Sequence, residues 1–332
     1  MLIPTSPLSG SGKTSMRSII FSNYLASATS RFGATIDVEQ NHVRFLGSVL
    51  LNLWDCGGQD AFLNSYLSNE RSTVFQDVGV LIYVLDIASR EPERDLFYYR
   101  QCLEACRKHS PQADIFVLVH KMDLVEGGKR EKRDAFWKRR KEMTRWSGDS
   151  RIETFMTSIW DESLYRAWSR IVHSLIPNIP VLCSHLTTFA TICSATEVVL
   201  FERHTFLIIA RSGDDPTDNK ADDFAEPTEQ DDEEEQTQTD QPSAELNPKR
   251  FEKISELVKG FRYSCNKLDE HFNSLEIRFP NYTALLENLT AGTCVLIIVA
   301  NPNVQSGALK VNVRLAREKF EQLLASFAQT NT

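Results

Sequence analysis

Ser9-Gly10-Ser11-Gly12-Lys13-Thr14-Ser15 is followed along the chain by Trp54-Asp55-Cys56-Gly57-Gly58-Gln59 and by His120-Lys121-Met122-Asp123. The first stretch decides the fold. Its glycines let backbone N–H groups approach phosphate oxygens, and the helix it opens favours negative charge at its N-terminus. Lys13 would reach the β- and γ-phosphates and the Thr14 hydroxyl would bind Mg²⁺. The full pattern is G-x-x-x-x-G-K-[ST], and here Pro7 stands where the first glycine belongs. A loop of this kind joins a strand to a helix, so the surrounding sequence should alternate the two.

It does. β-rich apolar runs at 43–55, 78–87, 113–119 and 152–159 alternate with helical patterns at about 14–26, 92–109, 129–146 and 162–175. Such alternation implies βαβ units around a largely parallel sheet. Residues 41–46 and 49–55 flank Gly47-Ser48 and predict a hairpin with one antiparallel edge strand. The run Val80-Leu81-Ile82-Tyr83-Val84-Leu85 fits a strand buried on both faces.

The other two stretches then fall at strand ends. Asp55 closes a strand, where its carboxylate can hold Mg²⁺ through water. Gly58 can offer its N–H to a γ-phosphate, and Gln59 can orient the attacking water as the catalytic residue. Trp54 reads as core. After the strand 115–119, a buried Asp123 can accept from N1–H and the exocyclic amino group of guanine, a paired donor edge that adenine lacks. Lys121 can lie along the base, and Ser158 and Ile159, in Thr157-Ser158-Ile159 after the next strand, can add backbone contacts. Thr35, between the first helix and the hairpin, is placed to close on Mg²⁺ and γ-phosphate. Arg31 and Arg44 read as surface residues, so an arginine finger is expected from a partner. Together these residues imply a GTP-binding switch with Mg²⁺ as cofactor and GTP and GDP as substrate and product.

Pro177-Asn178-Ile179-Pro180 marks a boundary between a first domain, 1–176, and a second, 181–332. Beyond it the order becomes helix 181–195, strands 197–203 and 205–211, helix 249–272, strands near 274–280, 282–288 and 293–300, and helix 308–327. Adjacent strands in a run predict an α+β domain with a mostly antiparallel sheet. Residues 212–247 interrupt it with fourteen Asp/Glu and one Lys. This segment lacks helical apolar spacing and reads as an acidic disordered insertion. It carries the acidity of the whole chain, whose net charge is −8, so the remainder is net basic.

At 332 residues with 42% apolar and 25% charged side chains, the chain is of ordinary globular composition. The seven cysteines show no C-x-x-C pair or metal spacing, which fits reduced thiols. No signal peptide, myristoylation or prenylation motif is read, and no apolar run is long enough to span a bilayer. Neither a nucleic-acid partner nor direct membrane insertion is expected.

The chain resembles the Rag GTPases, nearest the A/B-type branch and its fungal counterpart. The resemblance rests on residues 9–18, on Gly33-Ala34-Thr35-Ile36-Asp37-Val38-Glu39, on His42-Val43-Arg44-Phe45-Leu46-Gly47, on residues 52–60, on His120-Lys121-Met122-Asp123-Leu124 and on Thr157-Ser158-Ile159-Trp160-Asp161-Glu162. His120, where most small GTPases have Asn, looks like this family's own variant. Leu200-Phe201-Glu202-Arg203 and Arg250-Phe251-Glu252-Lys253-Ile254-Ser255 resemble the family's roadblock-type dimerisation domain. The expected architecture is therefore an α/β P-loop GTPase domain, mostly parallel, followed by an α+β roadblock-type domain. The resemblance implies nucleotide contacts from Ser9, Gly10, Gly12, Lys13, Thr14, Ser15, Thr35, Gly58, His120, Lys121, Asp123, Ser158 and Ile159, with Thr14, Thr35 and Asp55 at the metal. It also implies a heterodimer with a C/D-type Rag GTPase, a membrane-anchored scaffold complex, a GTPase-activating complex and amino-acid signalling to the TOR kinase complex. The protein would be cytoplasmic, recruited by partners to the vacuolar or lysosomal surface.

The acidic insertion and the N-terminus depart from that pattern. Pro4 and Pro7 break what strand Met1–Ile3 could start, so the first strand is expected to be missing, through truncation or a misassigned start. GTP hydrolysis slow without an activating partner is one expectation. The alternative is a non-catalytic dimerising adaptor with impaired nucleotide binding.

Overall fold

The computed structural model describes residues 2–3, 10–33, 39–46, 49–55, 72–148, 150–176, 178–213, 250–267, 273–301 and 303–329. Two sheets organise them. The first is built from β1 (Leu2–Ile3), β2 (Glu39–Phe45), β3 (Val49–Asp55), β4 (Val80–Asp86), β5 (Asp114–His120) and β6 (Ile152–Thr157) in the order β2-β3-β1-β4-β5-β6. Only β2 runs antiparallel to its neighbour, from Glu39↔Asp55 to Phe45↔Val49. Helices α1 (Lys13–Phe21), α2 (Pro92–His109), α3 (Lys129–Ser147) and α4 (Ser163–Leu175) connect the strands.

The expected absence of the first strand is corrected by β1. Leu2 and Ile3 pair in parallel with Trp54 and Asp55 on one side, and Leu2 with Leu81 on the other. Proline pushes the residue before it toward extended backbone, so Pro4 favours a strand conformation at Ile3 rather than forbidding it. The first helix is also shorter than its expected span of 14–26. It stops at Phe21 because Asn23 turns left-handed, with φ 56, and Tyr24 N–H returns to Ser18 O at 3.2 Å. Residues 26–31 form a separate 3₁₀ turn.

β4 shows why the sheet is central. Val80, Ile82 and Val84 face one core with Met16, Ile20 and Trp168, whereas Leu81, Tyr83 and Leu85 face another with Tyr99, Leu103 and Phe136. The period of two thus divides one strand between two helical layers. Each such fully buried side chain contributes about 1.5–3 kcal/mol of transfer free energy. α2 begins with Pro92, carries Glu93 and Asp95 in its first turn and ends on Arg107, Lys108 and His109, a charge order that suits the helix dipole.

After α5 (Ile179–Ile192) come β7 (Glu197–Glu202), β8 (Ile208–Arg211), α6 (Arg250–Lys267), β9 (Ser274–Arg278), β10 (Thr283–Asn288), β11 (Thr293–Val299) and α7 (Ser306–Gln329). The five strands form one antiparallel sheet in the order β8-β7-β11-β10-β9. The strand expected from 205 begins at Ile208, because Phe206 is left-handed with φ 54 and the Glu202 carboxylate accepts from Thr205 N–H and Oγ1, each at 2.6 Å. Of the acidic insertion, everything from residue 214 lies outside the described residues, as does the hairpin turn at 47–48.

Helix α4 joins the halves. It packs on β6 of the first sheet and on β8 of the second, where Ile208 N–H donates to Ser169 Oγ at 3.0 Å. One apolar cluster runs from Ile20 and Trp168 through Leu182 and Leu200 to Val295, Val313 and Leu324. On the outer face of the second sheet, Val199, Phe201 and Leu296 pack with Val258 of α6. Among the described residues no single helix is long and apolar enough to cross a membrane.

Candidate functional site

The C-terminal ends of the parallel strands lie on one edge, and the chemistry-bearing residues gather there. Gly10 and Gly12 bend the chain into α1 with φ of 98 and 94, a region that glycine enters without a Cβ penalty. Gly12 is constrained twice, since a Cβ there would lie 2.8 Å from Cδ2 and Nε2 of the His120 ring. Lys13 is 5% exposed and Ser15 half-buried in the first turn of α1. The buried Ser11 hydroxyl has no partner among the described residues. Unsatisfied N–H groups at a helix N-terminus, a buried ammonium and an unpartnered hydroxyl together make an anion cradle.

Asp55 ends β3 beside this cradle and is completely buried. Its Oδ2 accepts from Thr14 Oγ1 at 3.0 Å and from Arg17 Nε at 3.2 Å, and Arg17 continues to Glu39 Oε2 on β2 at 2.8 Å. Its Oδ1 is buried with no partner among the described residues. One hydroxyl and one carboxylate oxygen with spare acceptor capacity suit a hard cation that takes its remaining ligands from phosphate and water. No cluster of three or more His, Cys, Asp or Glu is present among the described residues, so the donor set fits Mg²⁺ held with phosphate better than a metal caged by protein alone.

The third stretch forms a second, connected patch. His120 ends β5, and its Nδ1 lies 2.9 Å from Thr157 Oγ1 at the end of β6. Burial lowers its pKa to about 4, so the ring against Gly12 is neutral near pH 7. Lys121 adopts φ 62 and reaches across to Asp86 Oδ2, at the end of β4, at 2.6 Å. Asp123 follows on a single 3₁₀ turn, Met122–Leu124, where Ser158 Oγ donates to its Oδ1 at 2.6 Å.

Two expectations about this patch are corrected. Asp123 is exposed rather than buried, because its 3₁₀ turn projects beyond the strand end. Ser158 does not offer a free backbone donor, since its N–H is taken by Ser163 Oγ at 3.0 Å; it acts on Asp123 through its hydroxyl. The Ile159 side chain packs against the main core, leaving its backbone for any contact at the edge. Gly10, Gly12, Lys13, Thr14, Ser15, Asp55, His120, Lys121, Asp123 and Ser158 are thus brought to one edge, while Ser9, Thr35, Gly58 and Gln59 lie outside the described residues. Sequence reasoning missed Arg17 and Asp86. Arg17 repeats at the helical spacing from Thr14 and Lys13, and Asp86 closes an apolar strand run as Asp55 does; those two signals were available.

A glycine-forced phosphate loop touching the histidine before a Lys-x-Asp turn, at the end of a strand two places away, is an arrangement of the P-loop G proteins, and the parallel sheet with its helices places the chain in that class. Residues 7–258 match the Gtr1/RagA G protein conserved region. The chain is 46% identical over 318 residues to the GTP-binding protein gtr1 of Schizosaccharomyces pombe, covering 94% of this chain and 92% of that protein. It is 45% identical over 319 residues to the Ras-related GTP-binding protein A of Dictyostelium discoideum, covering 96% of each. Similarity to the Saccharomyces cerevisiae GTP-binding protein GTR2 is 28% over 202 residues, covering 60% of this chain and 58% of that protein. The chain belongs to the Gtr1/RagA family, on its A/B-type branch, and is a GTPase.

Proposed function

We propose that the chain is a guanine-nucleotide switch in which the strand-end edge binds GTP and GDP. The observation that carries this reading is the contact between the two patches. The ring of His120 sits on Gly12, so the phosphate loop and the turn bearing Asp123 form one surface. Gly10, Gly12, Lys13 and Ser15 would cradle the phosphates. Thr14 and Asp55, with Thr35, would hold Mg²⁺, which would offset charge on the phosphate oxygens during transfer. Asp123, oriented by Ser158, would accept from the guanine edge, while Lys121 lies along the base. Gly58 and Gln59 would meet the γ-phosphate and the attacking water, with hydrolysis slow until a GTPase-activating complex assists.

The second sheet, with α5 and α7 on one face and α6 on the other, is compatible with a roadblock-type dimerisation domain over residues 181–332. The similarity to GTR2 supports a C/D-type Rag chain as heterodimer partner. By family resemblance, a membrane-anchored scaffold would hold the chain at the vacuole or lysosome, where it would signal amino acids to the TOR kinase complex.

Displacement of a fluorescent guanine nucleotide from the purified chain tests the core of this reading. GTP and GDP should compete in the presence of Mg²⁺ and ATP should not. Equal displacement by ATP would remove Asp123 from base recognition. Co-purification with a C/D-type Rag chain tests the partner.

A further inference from the structure

The last carbonyls of a helix have no intrahelical donor. At the end of α1, Ser18 O accepts from Ser22 N–H and Tyr24 N–H at 3.0 and 3.2 Å. Ile19 O and Ile20 O accept instead from the Lys259 ammonium, at 2.5 and 2.6 Å. Lys259 belongs to α6, on the outer face of the second sheet, and lies 240 positions along the chain from Ile19. It is 7% exposed, and its Nζ stands 5.4 Å from the centre of the Tyr165 ring on α4. The other charged groups facing it are Glu202 on β7 and Arg262 on its own helix.

A buried ammonium is costly to desolvate, and its two bonds to helix-end carbonyls offset only part of that cost. Its placement suits another task. A cation at the C-terminus of a helix and an anion at its N-terminus both favour the helix dipole. Here the N-terminus of α1 carries the phosphate loop and the C-terminus is held by Lys259. α1 has nine residues and so spans roughly 13 Å, short enough to move as a rod. We propose that Lys259 is a positioning residue for guanine-nucleotide binding, which fixes the trailing end of the phosphate-loop helix from the second half of the molecule. Anything that shifts α6 would then alter nucleotide retention, and nucleotide would by reciprocity alter α6. This rests on guanine nucleotide binding at the N-terminus of α1.

The test is release of fluorescent GDP from the full chain in Mg²⁺, chased with unlabelled GDP. Lys259→Met keeps the aliphatic volume and removes the donors. Release should accelerate about three- to tenfold, with at most a modest fall in the thermal midpoint, since removing the buried charge offsets part of what Ile19 O and Ile20 O lose with their donor. Lys259→Arg keeps charge and donors, so it should release like the wild type at about pH 6 and should not quicken as pH rises. Burial lowers the Lys259 pKa to about 7, so wild-type release should quicken as pH rises from about 6 to about 8.5, as the ammonium becomes an amine. Lys259→Met should be flat over that range. Wild-type release that ignores pH, or equal rates in wild type and Lys259→Met, would overturn the proposal while leaving nucleotide binding intact. If Lys259→Met does not fold, the wild-type pH profile and Lys259→Arg decide alone. A wild-type chain that binds no fluorescent GDP would overturn the underlying site reading as well.

Discussion

Asp55 has two oxygens in different circumstances, and Arg17 is the reason. Oδ2 is held by Thr14 and by a guanidinium that is itself 13% exposed, whereas Oδ1 has no partner among the described residues. Removing the cation from a fully buried carboxylate should cost about 3–5 kcal/mol. Arg17→Gln is therefore expected to lower the urea midpoint of the nucleotide-free chain, and less so with Mg²⁺ and GDP bound, since a dication then lies near the same carboxylate. An unchanged midpoint without nucleotide would show that Arg17 contributes nothing to Asp55. One buried and one half-buried imidazole set a second expectation. Burial lowers the pKa of both His120 and His173 to about 4, against an ordinary value of 6.5. Between those values the unfolded chain binds protons that the folded chain refuses, so stability is full above about pH 6.5 and is lost as pH falls toward 4. Denaturant titration at about pH 7 and about pH 5, above most carboxylate titration, should show a loss on the order of 1–3 kcal/mol. His120→Asn should shrink that difference, and an unchanged pH slope in this variant would assign the effect elsewhere.

At the scale of elements, the turn from loop to helix at Gly12 is constrained by both backbone and neighbour. Gly12→Ala meets a left-handed φ of 94 and a Cβ 2.8 Å from a buried ring at once. It should cost more than the ~1 kcal/mol of a left-handed alanine alone and abolish nucleotide binding, whereas Gly10→Ala, left-handed too but with no described atom within 4 Å of its Cβ, should retain measurable binding. Equal binding by the two variants would show that the ring contact is irrelevant. Local pattern made much of the surrounding architecture legible. α2, expected at 92–109, spans Pro92–His109, and α3, expected at 129–146, ends one residue later at Ser147. These helices carry their own start and stop chemistry. α1 was misjudged because its stop is a left-handed Asn23 rather than a glycine, and β8 because Glu202 folds the chain back on Thr205. The strand-end motifs could be read as strings, but the Arg17–Asp55 and Lys259–Ile19 contacts join residues 38 and 240 positions apart. No periodicity encodes such pairs; they exist only once the sheets are assembled.

The whole molecule divides into two sheets but not into two independent cores. The cluster that contains Trp168 and Ile171 of α4 also contains Leu200, Val295 and Leu324. Residues 1–176 made alone would leave that side of α4 in water. They are expected to aggregate, as read by light scattering, while the full chain melts in a single transition. A soluble, monomeric 1–176 fragment with its own cooperative melt would contradict the shared core. Deletion of residues 214–245, by contrast, should leave the melt of the full chain unchanged, because that stretch offers almost no apolar surface. The shared core has a further meaning during synthesis. The phosphate-loop half emerges from the ribosome first, yet its helix α4 packs on β8 and α6, which are translated later. At roughly 5–20 residues per second, the nascent first half waits on the order of ten seconds with that flank bare. The newborn chain should therefore depend on chaperone shielding until α6 has emerged.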